Sequence, residues 1–197
     1  MNFLVIDLEM SGLDPLYNEI IQIGACLYNE KWEQLGSYIQ NVYPENEKEF
    51  NAQSAEIHGL SLLDLEDAPL IYDVLPDLEG WIYETANINP KFGNLKQVIV
   101  CGQSVIKDIV FLQFAYKKTK TEWPFSNKLV DLHTLSYFYF KILEDNKIAV
   151  PKYLSLTDIA AFFKIERAGK DHNALEDAQI TADCLKKIFL SAKEFKI

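Results

Sequence analysis

Phe3-Leu4-Val5-Ile6-Asp7-Leu8-Glu9-Met10-Ser11-Gly12 is an apolar run that meets two acids and then a turn. Phe3 to Ile6 has the composition of a buried strand. Strand side chains alternate with period two, so Asp7 and Glu9, at its end, point to the same face. Two carboxylates on one face can share one cation. Acid-x-acid pairs are also easy to find among 29 acidic residues, and most such pairs are simply solvated. Position argues for a use here, because a polar end on a buried strand is costly unless something compensates it.

Outward from this stretch, Ile20 to Tyr28 and Leu35 to Val42 read as two more strands. They are set off by Ser11-Gly12-Leu13-Asp14-Pro15 and by Asn29-Glu30-Lys31, which predicts an antiparallel meander. After Pro44 the pattern becomes helical. Ser54 is expected to cap a short turn through His58, and Pro69 to open a helix toward Thr85 that Pro76 kinks or breaks. Val98 to Cys101 reads as a fourth strand. From about Val105 a helix follows, carrying Ile106, Ile109, Val110, Leu112, Phe114 and Ala115, and Leu129 to Leu132 supplies a short fifth strand. Thr134 to Leu143, Leu156 to Phe163 and Ala174 to Leu190 read as helices. The expected class is therefore α/β: a mixed sheet of about five strands, a meander followed by parallel α/β units, flanked by helices. The loops at 87–94 and 119–124 carry surface turn residues and not linker composition, so one domain over residues 1–197 is expected. Tyr137, Phe138, Tyr139 and Phe140 are capable of stacking on bases, but a dense aromatic run on a helix is assigned to the core.

A formal charge of -10 among 197 residues excludes a long basic groove of the kind that neutralises many duplex phosphates. Any nucleic-acid contact should be short or metal-mediated. Cys26, Cys101 and Cys184 are odd in number, far apart and embedded in apolar stretches, so neither a disulfide framework nor a zinc spacing is present. A reducing cytoplasm is the expected compartment. Only four apolar residues separate Asn2 from Asp7, too few for a signal peptide or a membrane span, so no membrane partner is expected.

Three more residues extend the candidate site. Asp108 stands near the start of a helix directly after the fourth strand, the edge at which open α/β sheets place ligands, although it serves equally as an acid at a helix N-terminus. His172 and Asp177 are five residues apart, about 140° from each other on one regular helix, so sharing a site requires His172 to lie on the preceding loop. Asn173 is a suitable cap, which would put Asp177 one turn in. Four carboxylates from a strand, a strand-to-helix junction and a late helix converge only as a repelling cluster, which divalent cations relieve. Hard oxygen ligands select Mg2+ or Mn2+ over zinc, and two such ions about 4 Å apart suit an in-line phosphoryl displacement.

In order and spacing these motifs resemble the DEDDh (DnaQ-like) branch of the DEDD 3′-5′ exonucleases, which includes polymerase proofreading subunits and oligoribonucleases on a ribonuclease H-like fold. Residues 3–12 resemble the first motif, Gly102-Gln103-Ser104-Val105-Ile106-Lys107-Asp108-Ile109-Val110-Phe111-Leu112 the second, and His172-Asn173-Ala174-Leu175-Glu176-Asp177-Ala178 the third. The resemblance implies that Asp7, Glu9 and Asp177 hold one metal, that Asp7 bridges to a second, that Asp108 supports them, and that His172 activates the water. It further implies substrate contacts from Met10, Ser11, Gly12, Ser104 and His58, the last within Ile57-His58-Gly59-Leu60. The second motif departs from the family in having Gln103-Ser104 in place of His-Asn, and Lys107 in place of an aromatic residue.

The expected activity is release of nucleoside 5′-monophosphates from the 3′ ends of single-stranded DNA, RNA or short oligonucleotides, with two Mg2+ or Mn2+ ions and a polymerase or repair factor as a possible partner. Two alternatives stay open at this point. One is a catalytically silent nucleic-acid-binding or scaffold protein of the same fold, and the other an oligoribonuclease-like dinucleotide phosphodiesterase.

Overall fold

The structure is a computed structural model that describes residues 1–168 and 173–192 of the chain. Five strands form one sheet: β1 (Asn2–Met10), β2 (Ile20–Asn29), β3 (Gln34–Asn41), β4 (Val98–Gly102) and β5 (Leu129–Asp131), in the order β3-β2-β1-β4-β5. The β1–β2 and β2–β3 pairs are antiparallel, and the β1–β4 and β4–β5 pairs are parallel. The expected meander followed by parallel units is the observed topology. β1 is central and extends at its C-terminal end from Ile6, where the apolar run stops, to Met10. Pairing with β2 carries it through Met10, so Asp7 and Glu9 lie within the strand.

Among the described residues six α-helices accompany the sheet: α1 (Ala52–His58), α2 (Ile71–Thr85), α3 (Ile106–Lys118), α4 (Leu132–Asp145), α5 (Leu156–Phe163) and α6 (Ala174–Ala192). Alternation along β1 decides which helices meet which face. Leu4, Ile6 and Leu8 pack with Val74, Leu75 and Leu78 of α2 and with Ile109 and Leu112 of α3. Val5 faces the other way, into a cluster with Phe140 of α4, Ile159 of α5 and Leu185 of α6. Asp7 and Glu9 share the parity of Val5 and so stand on the α6 side. Among the described residues no helix is long and apolar enough to cross a membrane.

Three local expectations change. The cap of α1 is Asn51, whose side chain accepts the Gln53 N–H at 2.8 Å, in place of Ser54, which lies inside the helix. Pro76 does not break α2: the helix runs through it, with the ring exposed and the buried stripe of Val74, Leu75, Leu78 and Ile82 intact. Burial of that stripe outweighs one missing N–H bond. Of the aromatic run on α4, Tyr139 and Phe140 are core as expected, whereas Tyr137 and Phe138 point outward.

Gly80, on the exposed side of α2, has open space where a Cβ would stand. Glycine in a helix interior costs about 1 kcal/mol relative to alanine. Gly80→Ala should therefore raise the thermal midpoint by about 2–4 °C, as read by circular dichroism. A lower midpoint would show that this turn of α2 needs glycine for a reason other than space.

Candidate active site

Just before Asp7 the sheet changes character. The parallel pairing of β1 with β4 ends at Val5↔Cys101, while the antiparallel pairing with β2 continues, with Asp7 opposite Gly24 and Glu9 opposite Gln22. Past Val5, β1 therefore has an open edge on the β4 side. The chain leaving β4 turns at Ser104, in left-handed backbone at φ 54°, and enters α3, whose first turn places Asp108 in this gap. Leu8 N–H, which β4 no longer reaches, donates to Asp108 Oδ1 at 3.2 Å.

The fourth acid comes from α6. Asn173 caps α6, its side chain accepting the N–H groups of Leu175 and Glu176 at 3.0 and 3.3 Å. Asp177 then falls one turn in, as the spacing predicted. Carboxylate oxygens of Asp7, Glu9 and Asp177 lie within 4.8 Å of one another. Glu9, Asp108 and Asp177 are buried, and Asp7 is partly open. His172 lies outside the described residues.

Such closeness has an electrostatic consequence. Two carboxylates at this separation repel by roughly 3 kcal/mol at an effective dielectric near 20. Burial first, then the charges of Asp108, Asp177 and Glu9, push the Asp7 carboxyl well above the ordinary range, and Arg167 works against them. Burial likewise pushes Asp108 up to about 7, opposed by N–H bonds from its own backbone and from Leu8; Glu9 raises it further and Lys107 lowers it. A set made only of carboxylate oxygens, held together against repulsion, fits a hard divalent cation. Asp7, Glu9 and Asp177 are the residues that could hold one.

The approach of α6 depends on two residues that no motif marks. A Cβ on Gly24 would stand 2.1 Å from the Ala174 carbonyl carbon and 2.2 Å from the Leu175 nitrogen. The start of α6 thus lies directly on β2 beside Asp7. Gln22 secures it: its Oε1 accepts the Ala174 N–H at 3.0 Å, and its Nε2 donates to Asn41 Oδ1 at 2.7 Å. The available signals were slight, a glycine and a glutamine inside an otherwise apolar strand. Arg167, which pairs with both Glu176 and Asp177, was likewise unmarked.

The expected substrate residues divide by what they already bind. Ser11 is committed: its N–H donates to the Glu19 carbonyl at 2.9 Å, its carbonyl accepts the Asn51 N–H at 2.7 Å, and its hydroxyl accepts the Glu19 N–H at 2.9 Å. That carbonyl bond ties the start of α1 to the end of β1. His58 closes α1. It is buried, its Nδ1 accepts the Leu60 N–H at 3.1 Å, Phe50 meets its ring edge-on, and burial lowers its pKa, favouring the neutral ring. Ser104 serves as the turn before α3. Met10 is half-buried at the strand end, and Gly12 is buried against Asn18. Gln103, at the departure from the family pattern, donates to the Leu154 carbonyl at 2.8 Å. A cavity of about 210 Å³ lined by Ile20, Val42, Ile71 and Phe111 opens on the α2–α3 side of the sheet, away from the acids.

A sequence profile for exonucleases matches residues 4–185. The chain belongs to the exonuclease family. This exonuclease-family chain is 24% identical over 197 residues to DNA polymerase III PolC-type from Bacillus subtilis (strain 168), of which it spans 12% while 98% of its own length is matched. It is 25% identical over 186 residues to the 3′-5′ DNA exonuclease Cap18 of Escherichia coli, covering 94% of this chain and 90% of that one. Among solved structures, the nuclease domain of 3′hExo, a DEDDh family member bound to rAMP, superposes with a TM-score of 0.77 at 19% identity, covering all of this chain and 95% of that one. That likeness establishes the ribonuclease H-like fold. The chain spans about an eighth of the length of the PolC-type relatives.

Two outcomes follow for the exonuclease-family site. Gly24→Ala should force α6 away from β2, lowering stability by about 1–3 kcal/mol in the manner of overpacked cores and weakening divalent-ion binding. Unchanged melting and unchanged calorimetric metal binding would refute the close-approach argument. Asp108 sets a pH dependence in EDTA. A carboxyl raised in the folded state holds its proton more tightly there than in the unfolded chain. Its contribution to stability therefore declines as pH rises from about 4 to about 7, with the full penalty standing above 7. Asp108→Asn, which keeps an acceptor for Leu8, should be more stable than wild type at pH 8, with the difference closing toward pH 5. A difference that is flat with pH would mean that Asp108 ionises without penalty.

Proposed function

We propose that this chain is a 3′-to-5′ exonuclease that hydrolyses the terminal phosphodiester of single-stranded DNA or RNA and releases nucleoside 5′-monophosphates. The observation that carries this reading is the convergence of the Asp7, Glu9 and Asp177 carboxylates within 4.8 Å, with Asp108 bound to the intervening Leu8 N–H. Family membership supports hydrolysis as the chemistry.

Two divalent ions, Mg2+ or Mn2+, when bound, lower the pKa of a water and stabilise charge on the attacking and leaving oxygens. The residues divide the remaining work. Asp7, Glu9 and Asp177 would hold an ion, and Asp108, fixed by the Leu8 N–H, would support the metal site. His172, which directly precedes the Asn173 cap, accepts the proton of the attacking water. Met10 and Gly12 contact the terminal nucleotide, over a floor that Ser11 and the His58 turn hold in place.

The formal charge of -10 supports a short contact at a strand end in preference to a long tract. DNA as substrate is supported by the Cap18 and PolC-type relatives, and a ribonucleotide end by rAMP on 3′hExo. The PolC-type relatives also support a polymerase as partner. Three buried free thiols support a reducing cytoplasm.

Oligonucleotides labelled at the 5′ end, in DNA and RNA and at lengths from two nucleotides upward, should shorten in steps with Mg2+ or Mn2+ and not in EDTA. Asp7→Ala should abolish turnover, and His172→Ala should slow it by about 10²–10⁴-fold with binding retained. No shortening of either polymer by protein shown to bind Mn2+ would refute the reading. Cleavage confined to dinucleotides would reassign it to a dinucleotide phosphodiesterase.

A further inference from the structure

Arg167, just after α5, is four-fifths buried and reaches the first turn of α6. One guanidinium nitrogen donates to Asp177 Oδ1 and the other approaches Glu176 Oε2 at 3.4 Å. The adjoining Ala168 N–H donates to Glu176 Oε1. Arginine stays protonated at every pH at which the protein folds, so this charge is permanent. Its influence extends past Asp177, because among the described residues it is also a cation acting on Asp7. A fixed positive charge therefore lies beside this acidic cluster, in contact with one of the three acids whose carboxylate oxygens approach within 4.8 Å.

We infer that Arg167 is a resident counter-cation of this acidic cluster, and that a divalent ion loading onto Asp7, Glu9 and Asp177 displaces it. The inference rests on the metal-binding reading above and concerns how the cluster is kept folded without metal. A carboxylate has lone pairs enough for a guanidinium and a cation together, so space alone does not force the exchange. Charge does. The repulsion between a guanidinium and a dication is twice that between two monocations at equal distance. In the metal-free chain Arg167 relieves the crowding of Asp7, Glu9 and Asp177, and in the loaded chain it opposes the ion that has taken over that task. Metal affinity is thereby held below what the carboxylates alone would give.

Calorimetric titration of the EDTA-stripped whole chain with Mn2+, without nucleic acid, tests this directly. Arg167→Gln should bind Mn2+ about tenfold tighter than wild type, melt at a lower temperature when stripped, and regain the wild-type midpoint when saturated. Arg167→Lys, which keeps the charge, should stay close to wild-type affinity. A second measurement needs no variant. The Arg167 side-chain N–H signal in a 15N spectrum should move to the position of a free guanidinium as Mg2+ is added. Equal or weaker Mn2+ binding by Arg167→Gln, or an Arg167 signal unmoved at saturation, would overturn the displacement while leaving the metal site standing. Absence of binding by every variant and by wild type would instead refute the metal site itself.

Discussion

Position 24 has no side chain, and the backbone of Ala174 and Leu175 occupies the space where one would stand. From that single close approach the arrangement above Asp7 follows. A helix resting on a strand is ordinarily held off by the side chains between them, at about 10 Å. Without Cβ at this point α6 comes down onto β2, and Gln22 fixes its first N–H. Asp177, one turn along, is thereby brought into the company of Asp7 and Glu9.

The opposite side of the cluster depends on an ending. β4 stops pairing with β1 at Val5, and the vacated edge admits Asp108, which takes the Leu8 N–H in place of a strand partner. A carboxylate thus completes the hydrogen bonding of the sheet and the charge of the cluster at once. The protein holds desolvated acids close together, an arrangement that opposes folding on its own, and offsets it with backbone donors, with Arg167 and with whatever cation binds. Ion binding and conformational stability are therefore coupled through the same atoms.

Much of this was legible in the sequence because it is written in local periodicity. Alternation placed Asp7 and Glu9 on one face, turn residues separated the strands, and Asn173 announced the start of α6. What was not legible acts across the chain. Gln22 and Ala174 are 152 positions apart, and nothing near either residue marks the bond between them. Ser54 was expected to cap α1, whereas Asn51 takes that place, its own N–H bound to the distant Ser11 carbonyl. Pro76 was expected to interrupt α2 because propensity is a local rule, whereas burial of Val74, Leu75, Leu78 and Ile82 is a tertiary one. Arg167 was passed over because its partners matter only once the acids converge.

The three cysteines, set aside as neither disulfide nor metal ligands, sit in one layer. Cys26 and Cys101 flank Val5 across neighbouring strands, and Cys184 belongs to the α6 side of the same cluster, all fully buried. Burial holds their thiols well protonated, Cys26 and Cys184 up to about 12. A thiol so placed reacts only when the layer opens. The helix that carries Asp177 thus lies over built-in reporters, whose reactivity measures how often the apolar layer beneath it opens.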